Sequence, residues 1–548
     1  MAMAATITVL GVTGLLSRSG PPPASAGATS SDLVRLACSI PHPWLLRTWR
    51  GYRADRGPNL QLLPKYPNFI GSGYPHVGPW GYDQNVPVLW YGPGYIKPAG
   101  PVSRPVTLAD IAPTEGRLMG FDFPAPDGVP MTEALISTPA PSAPPRLVVT
   151  LVWDAGGRDV LSTWPNEWPY LRSLIPKGTW YQHATVGSSP SSTAQDHANI
   201  GTGAYPLHSG IVAHHMRIGD RIVGPFITGP NLLILPTLAD LYDRAMGGRA
   251  RVGEVATVNI HLGMLGHGSM WGGGDRDSLI LREQPGAATQ GAEGGSWNIP
   301  AADAPYFRFP PWVKDLPPLS HDFPVADAAD GTIDGKWEGL DISAQKGGFD
   351  TPARIPNETR VIEELIKREG FGRDRIPDLL QINYKLIDEV GHIWTMNSLE
   401  MRDSVRVQDR YLKVLVNFLN GQVGRGNWAM VVTADHGAVP SVSVSGAFQI
   451  STGSLTSVLE ARFDNDSDSV PVFDGVYNTG AFVNETELRE NGYTLDDVAR
   501  FVMTLTEGQT AGEGVSVPTD TADTLVFQAA YPSSLMRSFP CLPEARRS

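Results

Sequence analysis

Three places in this sequence set metal-competent residues at the ends of apolar runs. Asp154 follows the run 147–153 (LVVTLVW) and is followed by Ala155, Gly156 and Gly157. Asp388-Glu389-Val390-Gly391-His392 places a hard oxygen and an imidazole four residues apart, with a glycine between them. Asp435-His436-Gly437 ends the run 429–434 (AMVVTA). Carboxylate and imidazole together suit zinc or a similar divalent ion. One such pair alone reads equally well as a hydrogen-bonded turn, but three in one chain favour metal. A fourth segment, Pro190-Ser191-Ser192-Thr193, offers hydroxyls at the start of a helix, where dipole and free N–H groups favour an anion. A bound metal would lower the pKa of such a hydroxyl and make it a nucleophile. Taken by itself the segment reads as an N-cap formed by Ser191, Ser192 or Thr193.

These residues need a scaffold that brings them to one edge. Apolar runs of this length read as buried parallel strands, and ligand sites form at the carboxyl ends of such strands. The run 379–388 reads as a strand that ends in Asp388. Residues 398–420 read as an amphipathic helix with Val405, Leu412, Leu415 and Leu419 on one face. Strands alternating with helices predict an α/β fold: a mainly parallel central sheet with helices on both faces. The Gly-, Asp-, Trp- and Pro-rich stretch 265–347 reads as a loop-rich cap inserted near the site. Residues 31–40 read as a short helix with Leu33, Leu36 and Ile40 inward, stopped by Pro41, and residues 86–91 (VPVLWY) as a buried strand. Residues 20–30 and 137–146 are Pro-, Ser- and Ala-rich linkers.

The composition is that of an ordinary globular chain, with 41% apolar and 18% charged residues over 548 positions. A net charge of −13 without a Lys/Arg cluster argues against a nucleic-acid-binding surface. It leaves room for a small phosphorylated substrate, because metal ions supply local positive charge. The two cysteines, Cys38 and Cys541, fit no metal motif and are read first as unrelated thiols. A disulfide between them is the alternative if the protein is exported. Residues 2–17 are apolar or small, and Ala24-Ser25-Ala26 looks like a cleavage site. Export to the periplasm, the cell envelope or the medium is therefore expected, with a cytoplasmic location as the alternative. The segment is short for a membrane span, and no other stretch is apolar enough for one. The oligomeric state is not legible.

The run P-x-x-T-x-x-x-H-x-x-x-x-T-G from Pro190 to Gly203, with Tyr205-Pro206 and His208-x-Gly210-Ile211 after it, resembles the nucleophile segment of the type I phosphodiesterases and nucleotide pyrophosphatases. That group lies within the alkaline phosphatase superfamily. Asp154, Asp388-x-x-x-His392 and Thr433-Ala434-Asp435-His436-Gly437 resemble its other metal motifs, in the same order. The segments Asn397-Ser398-x-Glu400 and Val423-Gly424-x-Gly426-Asn427 are similar to the single-domain bacterial alkaline phosphatases. The resemblance implies two divalent ions, zinc first, with manganese or magnesium as alternatives. Asp154, Thr193, Asp435 and His436 would hold one. Asp388, His392 and a further histidine would hold the other. Thr193 would attack phosphorus.

In the family that last histidine follows the Asp-His-Gly motif, and no histidine follows His436 here. Residues 74–92 are instead similar to the family's C-terminal segment: Tyr74-Pro75-His76, then Pro79, Tyr82-Asp83 and Val86-Pro87 before a buried strand. Val77 departs from the pattern, standing where the family has glycine. Arg50 to Arg56, Leu60 to Pro64 and Arg104 to Thr114 resemble the flanking elements. The resemblance therefore implies a circular permutation, with His76 as the missing ligand. On that reading residues 1–30 are an apolar segment and linker, and 31–136 correspond to the family's C-terminal part. Residues 137–146 are the joining linker, 147–515 the catalytic core with its cap, and 516–548 a tail. His214 or His215 stands where the family has a phosphate-binding Asn. His261 and His267 lie where the monoesterase branch has a Lys/Arg pair, so all four are candidate substrate contacts. A sulfatase is excluded because no C/S-x-P-x-R motif lies near Thr193. The expected activity is phosphodiester, pyrophosphate or phosphomonoester hydrolysis through a phospho-threonine. The alternatives are a non-catalytic phosphate- or partner-binding relative and a phosphomutase, against which Thr193 argues, since a mutase would use serine.

Overall fold

The computed structural model describes residues 30–136, 143–282, 296–466 and 468–546. The expected N-terminal leader and most of the linker 137–146 lie outside the described residues.

The strand Leu147–Trp153 is buried at all seven positions and lies at the centre of a nine-stranded sheet. It is parallel to Asp378–Tyr384 on one side, with Leu147 opposite Asp378 and Trp153 opposite Tyr384. On the other side it is parallel to Trp428–Thr433. In spatial order the strands are Trp297–Asn298, Ser278–Arg282, Val252–Ala256, Asp378–Tyr384, Leu147–Trp153, Trp428–Thr433, Val88–Tyr91, Thr179–Tyr181 and Gly100–Val102. Five of the eight pairings are parallel, so the sheet is mixed but mainly parallel, as the apolar runs predict.

Alternation along the central strand divides the core. Val149, Leu151 and Trp153 pack with Ile362, Leu365, Leu412 and Leu415 of the helices Arg354–Glu369 and Leu399–Leu419. Val148 and Val152 pack on the opposite face with Ile111, Ala194, Ala198 and Leu238, from the helices Ile111–Met119, Thr193–Thr202 and Leu238–Met246. Burying each large apolar side chain favours the fold by roughly 1.5–3 kcal/mol, so the carboxyl ends of these strands are a stiff place to mount a site. Thr150 is the polar member of the run, and its hydroxyl donates to the buried Glu115. Burial pushes the Glu115 carboxyl up to about 8, with Thr150 pulling the other way. A raised carboxyl holds its proton in the folded state. The stability it contributes is full below about 4.5 and is lost as pH rises through 8. Urea midpoints at pH 6 and pH 9 are expected to fall for the wild type and to fall less for Glu115→Gln.

Four expectations are corrected. The run 379–388 is not one strand. It ends at Tyr384, and Asp388 and His392 lie in the helix Leu386–Trp394. The alternation of Leu380, Ile382, Tyr384 and Leu386 with Gln381, Asn383 and Lys385 does not mark where the strand stops and the helix begins. Ser278–Arg282 pairs in parallel with Val252–Ala256, so the first part of 265–347 belongs to the central sheet. The segment 516–548 is no loose tail, because Phe527–Pro532 is an edge strand of a second, antiparallel sheet. That sheet runs Phe473–Tyr477, Gly480–Val483, Leu60–Pro64, Phe527–Pro532, and inserts a strand from near the chain's start between two from near its end. Cys38 and Cys541 form a disulfide across a sequence separation of 503 residues, rather than standing as unrelated thiols. Such a bond restricts the unfolded chain and contributes on the order of 2–5 kcal/mol. No helix among the described residues is long and apolar enough to cross a membrane.

Candidate active site

Four segments, joined by a fifth that carries His76, meet where the three central parallel strands end. Asp154 and Ala155 turn sharply out of the central strand, Ala155 at a φ of +57°, and the Ala155 N–H donates to Asp435 Oδ1 at 3.1 Å. Asp435 and His436 follow the neighbouring strand. Gly437 is required after them, since a Cβ there would lie 1.9 Å from the Tyr82 carbonyl oxygen. That close approach brings in the segment carrying His76. The third strand leads through Lys385 into the helix Leu386–Trp394, whose i, i+4 spacing puts Asp388 and His392 on one face.

The fourth segment opens the helix Thr193–Thr202, which is buried along its whole length. Ser192 stands at the N-cap position, yet its side chain makes no capping bond. Ser191 donates its hydroxyl to the His76 carbonyl at 2.7 Å. Capping therefore does not occupy Thr193, whose hydroxyl faces the cluster.

Seven expected residues converge here. His76 Nε2 lies 3.1 Å from Asp388 Oδ1 and 3.3 Å from His392 Nε2, and His392 Nε2 lies 3.5 Å from Asp388 Oδ1. Beside this set, His436 Nε2 lies 3.1 Å from Asp435 Oδ2, 3.4 Å from Thr193 Oγ1 and 3.6 Å from Asp154 Oδ1. The His76 and His436 rings stack at 3.6 Å and join the two sets. Ligands at about 2.1 Å from a tetrahedral zinc stand about 3.4 Å apart, which is the spacing found in both sets. Asp388 Oδ1 and Asp435 Oδ2 are buried without a regular hydrogen-bond donor. The free ring nitrogen of His392 meets the Gly73 carbonyl at 2.7 Å, a backing that metal-ligating histidines commonly have. His392 faces solvent, with 37% of its side chain exposed, whereas Thr193 is 1% exposed.

Lys385 was not anticipated. Its ammonium donates to Asp154 Oδ1 at 2.9 Å and Thr193 Oγ1 at 3.1 Å, and pairs with Asp388 Oδ2 at 2.7 Å. Burial opposes ionisation of Asp154 and Asp388, but the Lys385 ammonium together with neighbouring histidines (His261 and His436 for Asp154, His392 and His76 for Asp388) outweighs it and holds both well below the usual carboxylate range. Burial likewise opposes charge on His436, yet Asp435, Asp154 and Asp388 push its imidazole up to about 10. Burial, with His436 beside it, lowers His76 to about 4. The cluster thus holds its carboxylates by recruiting positive charge, and the residues fit divalent cations. A lysine just past a strand end, three residues before Asp388, was the available signal.

The four candidate substrate histidines separate. His214 Nε2 accepts the Ala194 N–H at 3.3 Å, beside the nucleophile candidate. His261 Nε2 lies 3.3 Å from Asp154 Oδ2. His215 stacks on Tyr477 at 3.9 Å, against the second sheet. His267 spends its ring nitrogens on Asp240 and the Leu233 carbonyl, at 2.7 and 2.9 Å, which leaves none for a substrate.

The family model for type I phosphodiesterases and nucleotide pyrophosphatases matches residues 148–452. The chain is 24% identical over 434 residues to the alkaline phosphatase PafA of Elizabethkingia meningoseptica, covering 66% of this chain and 73% of that protein. It is 24% identical over 353 residues to the alkaline phosphatase PhoV of Synechococcus elongatus, covering 55% of this chain and 60% of that protein. The crystal structure of wild-type PafA superposes with a TM-score of 0.50 at 18% identity, over 71% of this chain and 84% of that one. This likeness bears on the fold.

Proposed function

Because the chain belongs to the type I phosphodiesterase and nucleotide pyrophosphatase family, and with it to the phosphoric ester hydrolases, we propose that it cleaves small phosphate esters through Thr193 and a phospho-threonine intermediate. The observation that carries the reading is the uncapped Thr193 hydroxyl, buried between two sets of donor atoms at zinc-like spacing. His76, Asp388 and His392 would hold one divalent ion. Asp154, Thr193, Asp435 and His436 would hold the other. When bound, the ions supply Lewis acidity and make the hydroxyl a nucleophile near neutral pH, with zinc the best match to the donors. Thr193 Oγ1 forms the new bond to phosphorus as the ester oxygen leaves, and water then cleaves the phospho-threonine. The start of the buried helix offers its dipole to the phosphoryl oxygens. The test is hydrolysis of a chromogenic phosphodiester and its matching monoester by metal-loaded and chelated protein. Chelator-sensitive turnover supports the reading, and the better substrate names the branch. No turnover of either ester with any divalent ion would overturn it.

Lys385 favours a second reading, an ion-free phosphate-binding relative in which the ammonium stays on Asp154 and Asp388. The two readings differ in what Lys385→Met does. Unit charges at about 4 Å interact by about 4 kcal/mol at an effective dielectric of 20. Removing a competing cation is therefore expected to tighten zinc binding at least about tenfold, read by competition with a chromogenic chelator. Unchanged, negligible zinc affinity in both proteins would favour the ion-free relative.

The permuted order is part of the proposal. Its supports are the match beginning at residue 148, the strands Leu60–Pro64 and Val88–Tyr91 supplied from before it, and His76 beside Asp388. Export is proposed on the disulfide, since such bonds persist in oxidising compartments.

A further inference from the structure

The edge of the central sheet opposite the active site gathers three carboxylates. Asp243 lies in the last turn of the helix Leu238–Met246, and Asp275 and Asp277 lead into the strand Ser278–Arg282. That strand is parallel to Val252–Ala256, and through it shares its direction with Leu147–Trp153. Its start is therefore at the far end of the sheet from Asp154. One oxygen from each of the three carboxylates lies within 4.8 Å of the other two. Asp243 is 1% exposed and Asp277 4%, while Asp275 faces solvent.

The two buried carboxylates are poorly served by the chain. Asp243 Oδ2 accepts the Asp275 N–H at 3.1 Å, but Asp243 Oδ1 is buried without a partner. Among the described residues no N–H or O–H donates to the Asp277 carboxylate. No Lys, Arg or His among them forms an ion pair with any of the three. Arginines lie close by but are engaged elsewhere. Arg251 pairs with Asp374 and Arg308 with Glu369, and Arg276 donates to the carbonyls of Ala304 and Phe307. A carboxylate in a last helical turn also meets the negative end of the helix dipole. Burial and the carboxylates of Asp243, Asp275 and Asp240 push Asp277 well up. Burial, with Asp275 and Asp240 beside it, pushes Asp243 up to about 6 against one backbone N–H. Neither Asp243 nor Asp277 shares a hydrogen bond with another carboxyl, so no common proton joins them.

The surroundings suit a hard cation. All three donors are oxygens, with no imidazole or thiolate among them, which favours calcium over zinc. Oxygens about 2.4 Å from a calcium ion stand at most about 4.8 Å apart, so one ion reaches all three. Gly247 and Gly248, at φ +65° and +67°, turn the chain after the helix back against Asp275. A Cβ at Gly248 would lie 3.0 Å from Asp275 Oδ2. A polar pocket of about 310 Å³ opens beside Asp275 and Asp277, bordered by Gly248, Ser278 and Glu369. It gives a hydrated ion a way in and leaves room for the waters that calcium keeps.

We propose that Asp243, Asp275 and Asp277 form a structural calcium site that clamps the helix Leu238–Met246 to the start of the strand Ser278–Arg282. The site shares no residue with the catalytic cluster and does not depend on the hydrolytic reading.

The test counts calcium bound to the intact, zinc-loaded protein by equilibrium dialysis at millimolar calcium chloride, for the wild type, Asp277→Asn and Asp275→Asn. Each variant is expected to bind one calcium fewer than the wild type, with its zinc content unchanged. Equal calcium counts in all three proteins would overturn the site. Asp275 is exposed, so Asp275→Asn decides the matter if Asp277→Asn fails to fold. Thermal unfolding gives a second readout. Calcium is expected to raise the wild-type midpoint by about 2–4 °C, and to raise that of Asp275→Asn by less than half as much. An equal rise in both, or an equal rise of the wild type with magnesium chloride, would overturn the assignment.

Discussion

Thr193→Ala is expected to lower kcat for the preferred ester by roughly 10⁴- to 10⁶-fold, the scale seen when an acting nucleophile is removed. The fold should tolerate the change. Thr193 lies at the first position of its helix, makes no capping bond, and alanine is a strong helix former. Among the described residues its hydroxyl hydrogen-bonds only with groups of the cluster, Lys385 Nζ and His436 Nε2. Trapping supplies an independent readout. Acid-quenched wild type should carry phosphate on threonine and the alanine variant none. A variant that keeps a tenth or more of wild-type kcat would exclude Thr193 as nucleophile.

His76→Ala is the second large effect expected. It removes one of three donors around Asp388 and unstacks the ring joining that set to His436. Zinc affinity at this set should fall by about 100-fold or more, since even outer partners of metal ligands cost 10- to 100-fold. Turnover should fall with it and recover partly at high zinc. The same measurement bears on the permuted order, which expects a ligand from residue 76. Full activity and full zinc content in His76→Ala would remove the permutation and leave the hydrolase.

The convergence of Asp154, Asp435 and His436 was legible because each follows a strand buried on both faces, which the sequence writes as a largely apolar run. The place of Thr193 in the cluster was legible from motif spacing, and that of His76 from flanking residues that resemble the family's C-terminal segment. The placement of Asp388 on a strand tip failed because the alternation of Leu380, Ile382, Tyr384 and Leu386 with Gln381, Asn383 and Lys385 runs on past the strand end at Tyr384. Lys385 carries no periodic signal. Its meaning depends on Asp154 and Asp388 converging from different elements, which is a tertiary fact. His261 and His267 lie in one Gly-rich stretch and look alike in sequence. Only packing sends one to Asp154 and the other to Asp240. The second sheet was missed for a related reason: Leu60–Pro64 finds its partners at Gly480–Val483 and Phe527–Pro532, far along the chain.

The Cys38–Cys541 bond closes nearly the whole polypeptide into a covalent loop. A protease that cuts anywhere between those residues opens the loop into a line and releases nothing. Both new ends stay tethered within a single molecule of almost unchanged mass. A once-nicked sample should therefore run as one species without reductant and as two with it, and a single cut cannot carry His76 away from Asp388.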